Sequence, residues 1–353
     1  MSVIYKTNAA LREEPVFLQA EIPAGEMPLC GFSTADGRYF PAQLLPCGAI
    51  CAIVTAAEGE EIEMSPVYGS MNSAVCTVEE NEKRLTITIG GSPVAGYCWD
   101  TALYKPYFGP LTDDDGNMFT RLDFTVKEHP HHRSIFVAVG DVNGVDLWNE
   151  PEDCGIIRTE KIENVISGAA LTSFTVTNLW TDHSEKPLLH ETTRYTMYNQ
   201  SQSCRMLDME ITFTADCGKV EFGPTKEAGP LGIRMRDELR ADKGTGVITN
   251  SRGGHGESEC WSKEAEWCDY SGEINNAFFG ITAYDHKDNE RYPTTWHVRD
   301  YGLFAANNLH FKGGLTIEAG KTLTYKFRVL LRRDEMPMEE LEKRYQRYLE
   351  GDR

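Results

Sequence analysis

Residues 85 to 89 read Leu85-Thr86-Ile87-Thr88-Ile89. Apolar and polar side chains alternate strictly, and four of the five residues are β-branched. A period of two in β-branched residues describes a strand with one face buried. The same character recurs in Leu171 to Leu179, Met206 to Phe213 and Leu323 to Leu331. Turn residues separate such runs: Ala35-Asp36-Gly37, Asp115-Gly116-Asn117, Asn143-Gly144 and Ala319-Gly320. No repeated strand–helix–strand spacing is present. Many short strands punctuated this way predict an all-β protein, a large antiparallel β-sandwich.

One helix is expected, at the C-terminal end. After Asp334, Pro337 can take an early helical position. Met338, Leu341, Tyr345 and Tyr348 then recur at helical spacing, and Glu339–Lys343 and Glu340–Arg344 are i,i+4 pairs in the favourable order. This segment, 334–350, should pack on the sheet. Gly90-Gly91-Ser92-Pro93 is the candidate boundary between a small N-terminal β region, 1–90, and the main sandwich, 94–333. All nine histidines and all six tryptophans follow it.

The formal charge of −19 argues against nucleic acid and anionic membrane as partners, because both need a positive surface. No apolar run approaches the roughly 20 residues that cross a bilayer. Met1-Ser2-Val3-Ile4-Tyr5-Lys6 lacks the basic start and apolar run of a signal peptide. Ten irregularly spaced cysteines without a Cys-x-x-Cys pair read as reduced, mostly buried thiols of a cytoplasmic protein.

His129-Pro130-His131-His132-Arg133 is the densest group of titratable residues. In an extended segment His129 and His131 would share a face and His132 would point away. A His-x-His pair supplies two metal ligands, so His129 and His131 are candidate ligands for a divalent metal. The cupin pattern fails, since no Glu follows closely. Two other readings stand beside the metal: a polar site whose histidines bind or protonate a substrate, and a structural corner.

Lys226-Glu227 precedes a glycine turn that leads into a strand ending at Arg234. Glu227 can be a general base or third metal ligand, or simply a salt-bridge partner of Lys226 or Arg234. In Trp296-His297-Val298-Arg299-Asp300-Tyr301, alternation places Trp296 and Val298 on one face and His297, Arg299 and Tyr301 on the other. A His-Arg-Tyr face suits a polar pocket wall. Trp148, Trp261, Trp267 and Tyr107 are candidate platforms on which a sugar ring could stack, against the plainer reading of core aromatics. Gly253-Gly254-His255-Gly256-Glu257 does not fit a phosphate loop and reads as a mobile loop or lid.

Several ordered motifs resemble a known bacterial family, the methane oxygenase PmoA-like proteins. They are the histidine run, Gly140-Asp141-Val142-Asn143-Gly144-Val145-Asp146-Leu147-Trp148, Lys226 to Arg234, Trp267 to Gly272, and Tyr292 to Asn307. Lys105-Pro106-Tyr107 stands where that family usually has Arg-Pro-Tyr. The resemblance spans roughly residues 95–331. It implies a soluble β-sandwich rather than a membrane subunit, in the company of sugar oxidoreductases and sugar isomerase-like proteins. It assigns no catalytic residues.

Together these readings predict a carbohydrate-active enzyme on a sandwich of the galactose-mutarotase-like supersandwich type. The expected chemistry is acid–base cleavage, by β-elimination or hydrolysis, or epimerisation of a glycoside or keto-sugar. His131, His132, Glu227 and His297 are the candidate acids and bases. Tyr107, Arg133, Trp148, Lys226, Arg299 and Tyr301 are the candidate substrate-binding residues. The alternative is a non-catalytic sugar-binding subunit of a sugar oxidoreductase, and a homo-oligomer is also compatible. A metal-dependent oxygenase is the third reading, and follows the family name alone.

Overall fold

A computed structural model describes residues 2–21, 27–69, 76–122 and 127–351. Six strands, β1 (Val3–Lys6), β2 (Leu11–Leu18), β3 (Leu29–Ser33), β4 (Tyr39–Leu44), β5 (Ile50–Ala56) and β6 (Glu61–Tyr68), form an N-terminal antiparallel sheet ordered β1-β6-β3-β4-β5-β2. The body follows with β7 (Cys76–Glu80), β8 (Arg84–Ile89), β9 (Ser92–Cys98), β10 (Tyr107–Leu111) and β11 (Ile135–Val139). Next come β12 (Ile156–Ile166), β13 (Leu171–Thr181), β14 (Pro187–Tyr198), β15 (Cys204–Thr214), β16 (Val220–Phe222) and β17 (Ala228–Arg234). The last strands are β18 (Val247–Asn250), β19 (Trp267–Ile274), β20 (Ala277–Asp285), β21 (Trp296–Arg299), β22 (Leu303–Ala306), β23 (Leu315–Ile317) and β24 (Thr322–Arg332). Two helices complete the chain, α1 (Gly256–Cys260) and α2 (Met338–Glu350).

The chain is an all-β antiparallel sandwich with one C-terminal helix, as its alternation predicts. Two eight-stranded sheets face each other, ordered β21-β22-β17-β11-β10-β9-β8-β7 and β12-β13-β14-β15-β24-β20-β19-β18. Leu85, Ile87 and Ile89 point into the layer between them and meet Phe174, Val176 and Tyr195 in the main core. Burying one face of every strand is the main stabilising term of such a sandwich. Gly90-Gly91, expected as a domain boundary, is instead the turn of the β8–β9 hairpin. Both glycines have positive φ, which a tight hairpin turn requires and a linker does not. From β7 onward the strands form the two sandwich sheets, apart from β16 and β23, which pair as a separate two-stranded sheet, so the N-terminal sheet ends with β6.

Helix α2 begins at Met338, four residues after the expected start at 334, with Pro337 as its N-cap rather than inside the helix. Leu341, Tyr345 and Tyr348 pack against Cys51, Ile53, Tyr198 and Tyr284, so the helix joins the N-terminal sheet to the body. Arg344 is on the same buried face because Glu14 receives it at 2.7 Å. Met338 lies off that face and is exposed.

A second tie is Gln43, whose Oε1 accepts the backbone N–H groups of Ala170 (3.0 Å) and Leu171 (2.9 Å). Gln43→Ala leaves two buried donors unsatisfied and is expected to cost about 1–3 kcal/mol. Urea unfolding checks this, and an unchanged midpoint contradicts it.

The first sheet has a second, outward face, and alternation selects what lies there. On β11, Ile135, Val137 and Val139 enter the main core, while Phe136 and Ala138 join Trp148, Leu303 and Ala305 on the outer side. On β21, Trp296 and Val298 face the core, so His297 and Arg299 face outward, as predicted. Register aligns His297 with Ala305, Ala305 with Gly232 and Gly232 with Phe136. A parallel row carries Arg299, Leu303 and Arg234. A Cβ on Gly232 would lie 2.7 Å from the Phe136 ring, so glycine is what lets that ring lie flat. All ten cysteines are free, and most are buried. Among the described residues no helix is long and apolar enough to cross a membrane.

Candidate functional site

The histidine run is a turn, not the extended segment expected. The His132 N–H bonds the His129 carbonyl at 3.1 Å, and His129 and Ser134 hold left-handed backbone at φ 48° and 47°. Pro130 and these two residues break the extended geometry. The side chains therefore do not alternate. His129 and His132 stack face to face, with centroids 5.1 Å apart. Tyr301 stacks on His129 at 4.5 Å, and Phe136 on His132 at 5.7 Å. His131 stands edge-on to His132 at 4.3 Å.

Hydrogen bonds fix the roles of two of these imidazoles. The Trp148 indole N–H reaches His132 Nε2 at 3.2 Å. An indole can only donate, so His132 Nε2 is the acceptor and the proton sits on Nδ1. That Nδ1 is buried and has no partner. At His297, Nδ1 lies 2.6 Å from the Lys226 carbonyl. A carbonyl can only accept, so Nδ1 carries the proton and Nε2 is left with a lone pair. The Asn307 amide donates to the same carbonyl at 2.9 Å and holds it in place. His132 thus offers a donor and His297 an acceptor. Burial lowers the pKa of both, His297 to about 4 and His132 well below its ordinary value. Burial and Lys105 bring His131 to about 3, and burial with Arg234 lowers His129. Trp148→Phe strands His132 Nε2 in the interior and is expected to cost about 1–3 kcal/mol in denaturant unfolding. An unaltered stability would show that this bond is not formed.

Beside the histidines lies a buried ion group. Lys105 Nζ donates to Glu150 Oε1 and to the Trp148 carbonyl, both at 2.8 Å. Arg133 grips the same carboxylate with two bonds, at 2.6 and 2.9 Å. Burial would raise the Glu150 pKa, but Arg133 and Lys105 outweigh it and hold it at about 2. Arg133, expected to bind substrate, is committed to Glu150. Neither Lys105 nor Glu150 stands out as a site residue in the sequence; Glu150 is one of 54 acidic residues with no local pattern around it.

The third part of the face centres on Tyr301. The Arg234 guanidinium lies 5.0 Å from its ring centroid and that of Arg299 5.7 Å. Arg234 is fully buried, and its Nε and Nη1 have no partner; Arg299 Nε is likewise unclaimed. Burial lowers the Arg234 pKa to about 10. Glu227 pairs with Lys226 at 3.6 Å, as one of its expected readings has it, whereas Arg234 pairs with Asp237 at 3.4 Å. Burial raises the Glu227 pKa, and its charge in turn helps raise that of Tyr301 to about 12, where burial is the larger cause. Gly256-Glu257, expected in a mobile loop, opens helix α1. Glu257 contacts Arg299 at 3.3 Å and accepts the Asp300 N–H at 2.7 Å, tying this segment to the end of β21.

Leaving a buried donor unpaired costs roughly 1–3 kcal/mol. Four side chains with unpaired buried nitrogens, His129, His132, Arg234 and Arg299, beside left-handed backbone at His129, Ser134 and Glu150 (φ 59°), concentrate that cost on one sheet face. Such concentration is characteristic of functional sites.

Other expectations are corrected. Trp148 is 0% exposed and Tyr107 is buried in the same cluster, so neither is a stacking platform. The faces of Tyr301 are taken by His129 and the arginines. Loops that return over the outer face bury these rings, which strand alternation alone does not reveal. The rings of His129 and His131 lie 5.9 Å apart at 73° and form no preformed metal site. Among the described residues the one close group of three ligand types is His190, Asp216 and Cys217, on the other sheet and partly exposed. A cavity of about 550 Å³ also lies away from this face, between β13–β15, β24, the N-terminal sheet and α2. Its charges are paired: Arg328 with Asp208 at 2.6 Å and Arg194 with Glu210 at 2.9 Å.

Comparison with solved structures finds distant likenesses. The GH36 α-galactosidase AgaB from Geobacillus stearothermophilus is 12% identical, with a TM-score of 0.39 over 73% of this chain and 41% of that one. The chain therefore spans about two fifths of that enzyme. Slr1438 from Synechocystis is 10% identical, with a TM-score of 0.32 over 76% of this chain and 100% of that one. A TPR-domain containing protein from Parabacteroides distasonis is 10% identical, with a TM-score of 0.32 over 96% and 56%. No curated protein sequence matches. A family profile matches residues 84–346, from β8 into α2, and so takes in the whole outer face just described. With more than half of its length matched, the chain belongs to DUF6807, a family of unknown function.

Proposed function

We propose that the outer face of the first sheet is an acid–base site that cleaves or rearranges a glycoside or keto-sugar. One observation carries this reading. The His297 lone pair and the half-buried Glu227 carboxylate share a face with unclaimed arginine N–H groups. A base beside oxyanion donors is what proton abstraction next to a carbonyl requires. Glu227 or His297 Nε2 removes the proton α to the keto group. The C–H electrons move into the carbonyl, and Arg299 or Arg234 holds the resulting enolate. The enolate then collapses, the glycosidic C–O bond breaks, and a protonated group returns a proton to the leaving oxygen. Without that last break, the same parts epimerise the sugar. Sugar enters through the resemblance of residues 95–331 to PmoA-like proteins. No step is routed through a metal.

The accessory-subunit reading needs open aromatic platforms; Trp148, Trp267 and Tyr107 are buried, and of the expected rings Trp261 alone is partly exposed. Incubating the full chain with glycosides and their keto derivatives, with and without chelator, tests the proposal by product analysis. Turnover is expected for at least one, and its loss in folded Glu227→Gln and His297→Ala variants. Full activity in both variants rejects these residues. Binding without turnover would favour the accessory role instead.

A further inference from the structure

Four N–H groups without partners surround Tyr301: Arg234 Nε and Nη1, Arg299 Nε and His132 Nδ1. Their side chains lie close around that ring, the guanidinium carbons of Arg234 and Arg299 at 5.0 and 5.7 Å and the His132 centroid at 6.4 Å. A guanidinium has no acceptor, and Trp148 fixes His132 with its proton on Nδ1. The unpartnered atoms of these three side chains are therefore all donors; His129 Nδ1, stacked on the same ring, also lacks a hydrogen bond. A neutral sugar hydroxyl can accept from such a wall, but it brings an O–H of its own that must find another partner, and no charge. An oxyanion brings lone pairs alone, and the arginine fork matches a carboxylate or a phosphate. Two carboxylates already touch these arginines, Glu257 at Arg299 Nη1 (3.3 Å) and Asp237 at Arg234 Nη2 (3.4 Å), but neither takes the unpartnered N–H groups; Glu227 pairs with Lys226.

We infer that the sugar taken by this site carries an oxyanion, a carboxylate or a phosphate ester, which seats against Arg234, Arg299 and His132 beside Tyr301. The inference rests on the carbohydrate reading above and names its substrate class. The oxyanion occupies the arginine side of the ring, leaving Glu227 and His297 to the reacting carbon. It also accounts for arginine rather than lysine at both positions, because only a planar fork holds two oxygens at once.

Calorimetric titration of the full chain tests this, with D-glucuronate, D-galacturonate and D-glucose 6-phosphate against D-glucose and D-galactose, and with acetate and inorganic phosphate alone. At least one acidic sugar is expected to bind about tenfold or more tightly than its neutral parent. The uronate and phosphate arms decide which oxyanion fits. Arg299→Gln, at a partly exposed position, should reduce that preference about tenfold with an unchanged melting temperature. Arg234→Lys should do the same if its melt shows it folded. Equal binding of acidic and neutral sugars overturns the inference and leaves the carbohydrate reading intact. Binding of acetate or phosphate with no binding of any sugar supports the oxyanion seat and rejects the carbohydrate reading. No binding by any probe rejects both.

Discussion

Replacing Glu150 with glutamine is expected to destabilise the protein by about 3–5 kcal/mol. The carboxylate accepts Lys105 and both nitrogens of the Arg133 fork, and both cations are buried. Removing the negative charge leaves two buried cations facing each other. Lys105→Met with Glu150→Gln should recover part of the loss, because one of the stranded charges goes too. The same group predicts acid lability. The Glu150 pKa falls from 4.5 when unfolded to about 2 when folded, so its contribution is present above pH 4.5 and lost as pH falls toward 2. The buried histidines act earlier and in the same direction. His297 falls from 6.5 to about 4, so the unfolded chain binds its proton first and stability declines as pH drops from 6.5 to 4. Each shift corresponds to something on the order of 3 kcal/mol. Chemical denaturation between pH 7 and 4 checks the histidine part, and a flat profile contradicts it.

Glu227→Gln and His297→Asn are each expected to lower turnover by about 10²–10⁴-fold, the usual contribution of a positioned general base. The two should differ in pH profile. Burial raises the Glu227 pKa from its ordinary value, so wild-type activity should fall on the acid side as Glu227 protonates, and His297→Asn should keep that limb. Glu227→Gln should abolish it. Exposed His183, on the turn between β13 and β14, is the control, and His183→Ala should leave turnover unchanged. Equal activity of wild type and Glu227→Gln on a turned-over substrate would remove Glu227 from the chemistry.

The sandwich was legible because strand alternation reports burial directly. Leu85, Ile87 and Ile89 turn inward as their period demands, and the split of Trp296 and Val298 from His297 and Arg299 follows from the same rule. Where alternation fails, the sequence misleads. His129 and His131 seemed to share a strand face, but Pro130 and left-handed backbone make a turn of them. Gly90-Gly91 looks the same in a linker as in a hairpin. Glu150 was invisible, since its meaning depends on Lys105 and Arg133 arriving from other parts of the chain. Trp148 was noticed as a platform, yet its role is to donate to His132. Tautomers belong to tertiary contacts, and no local pattern encodes them.

The outer face offers a ligand one imidazole donor, at His132, and one imidazole lone pair, at His297. Nitrogen-15 NMR of the histidine rings in the full chain at neutral pH tests it most directly, with His132→Gln and His297→Gln spectra to assign the signals. Both rings should be neutral, each with its proton on Nδ1 and a bare Nε2. A proton on Nε2 of either ring, or a charged imidazolium at either position, would contradict the account.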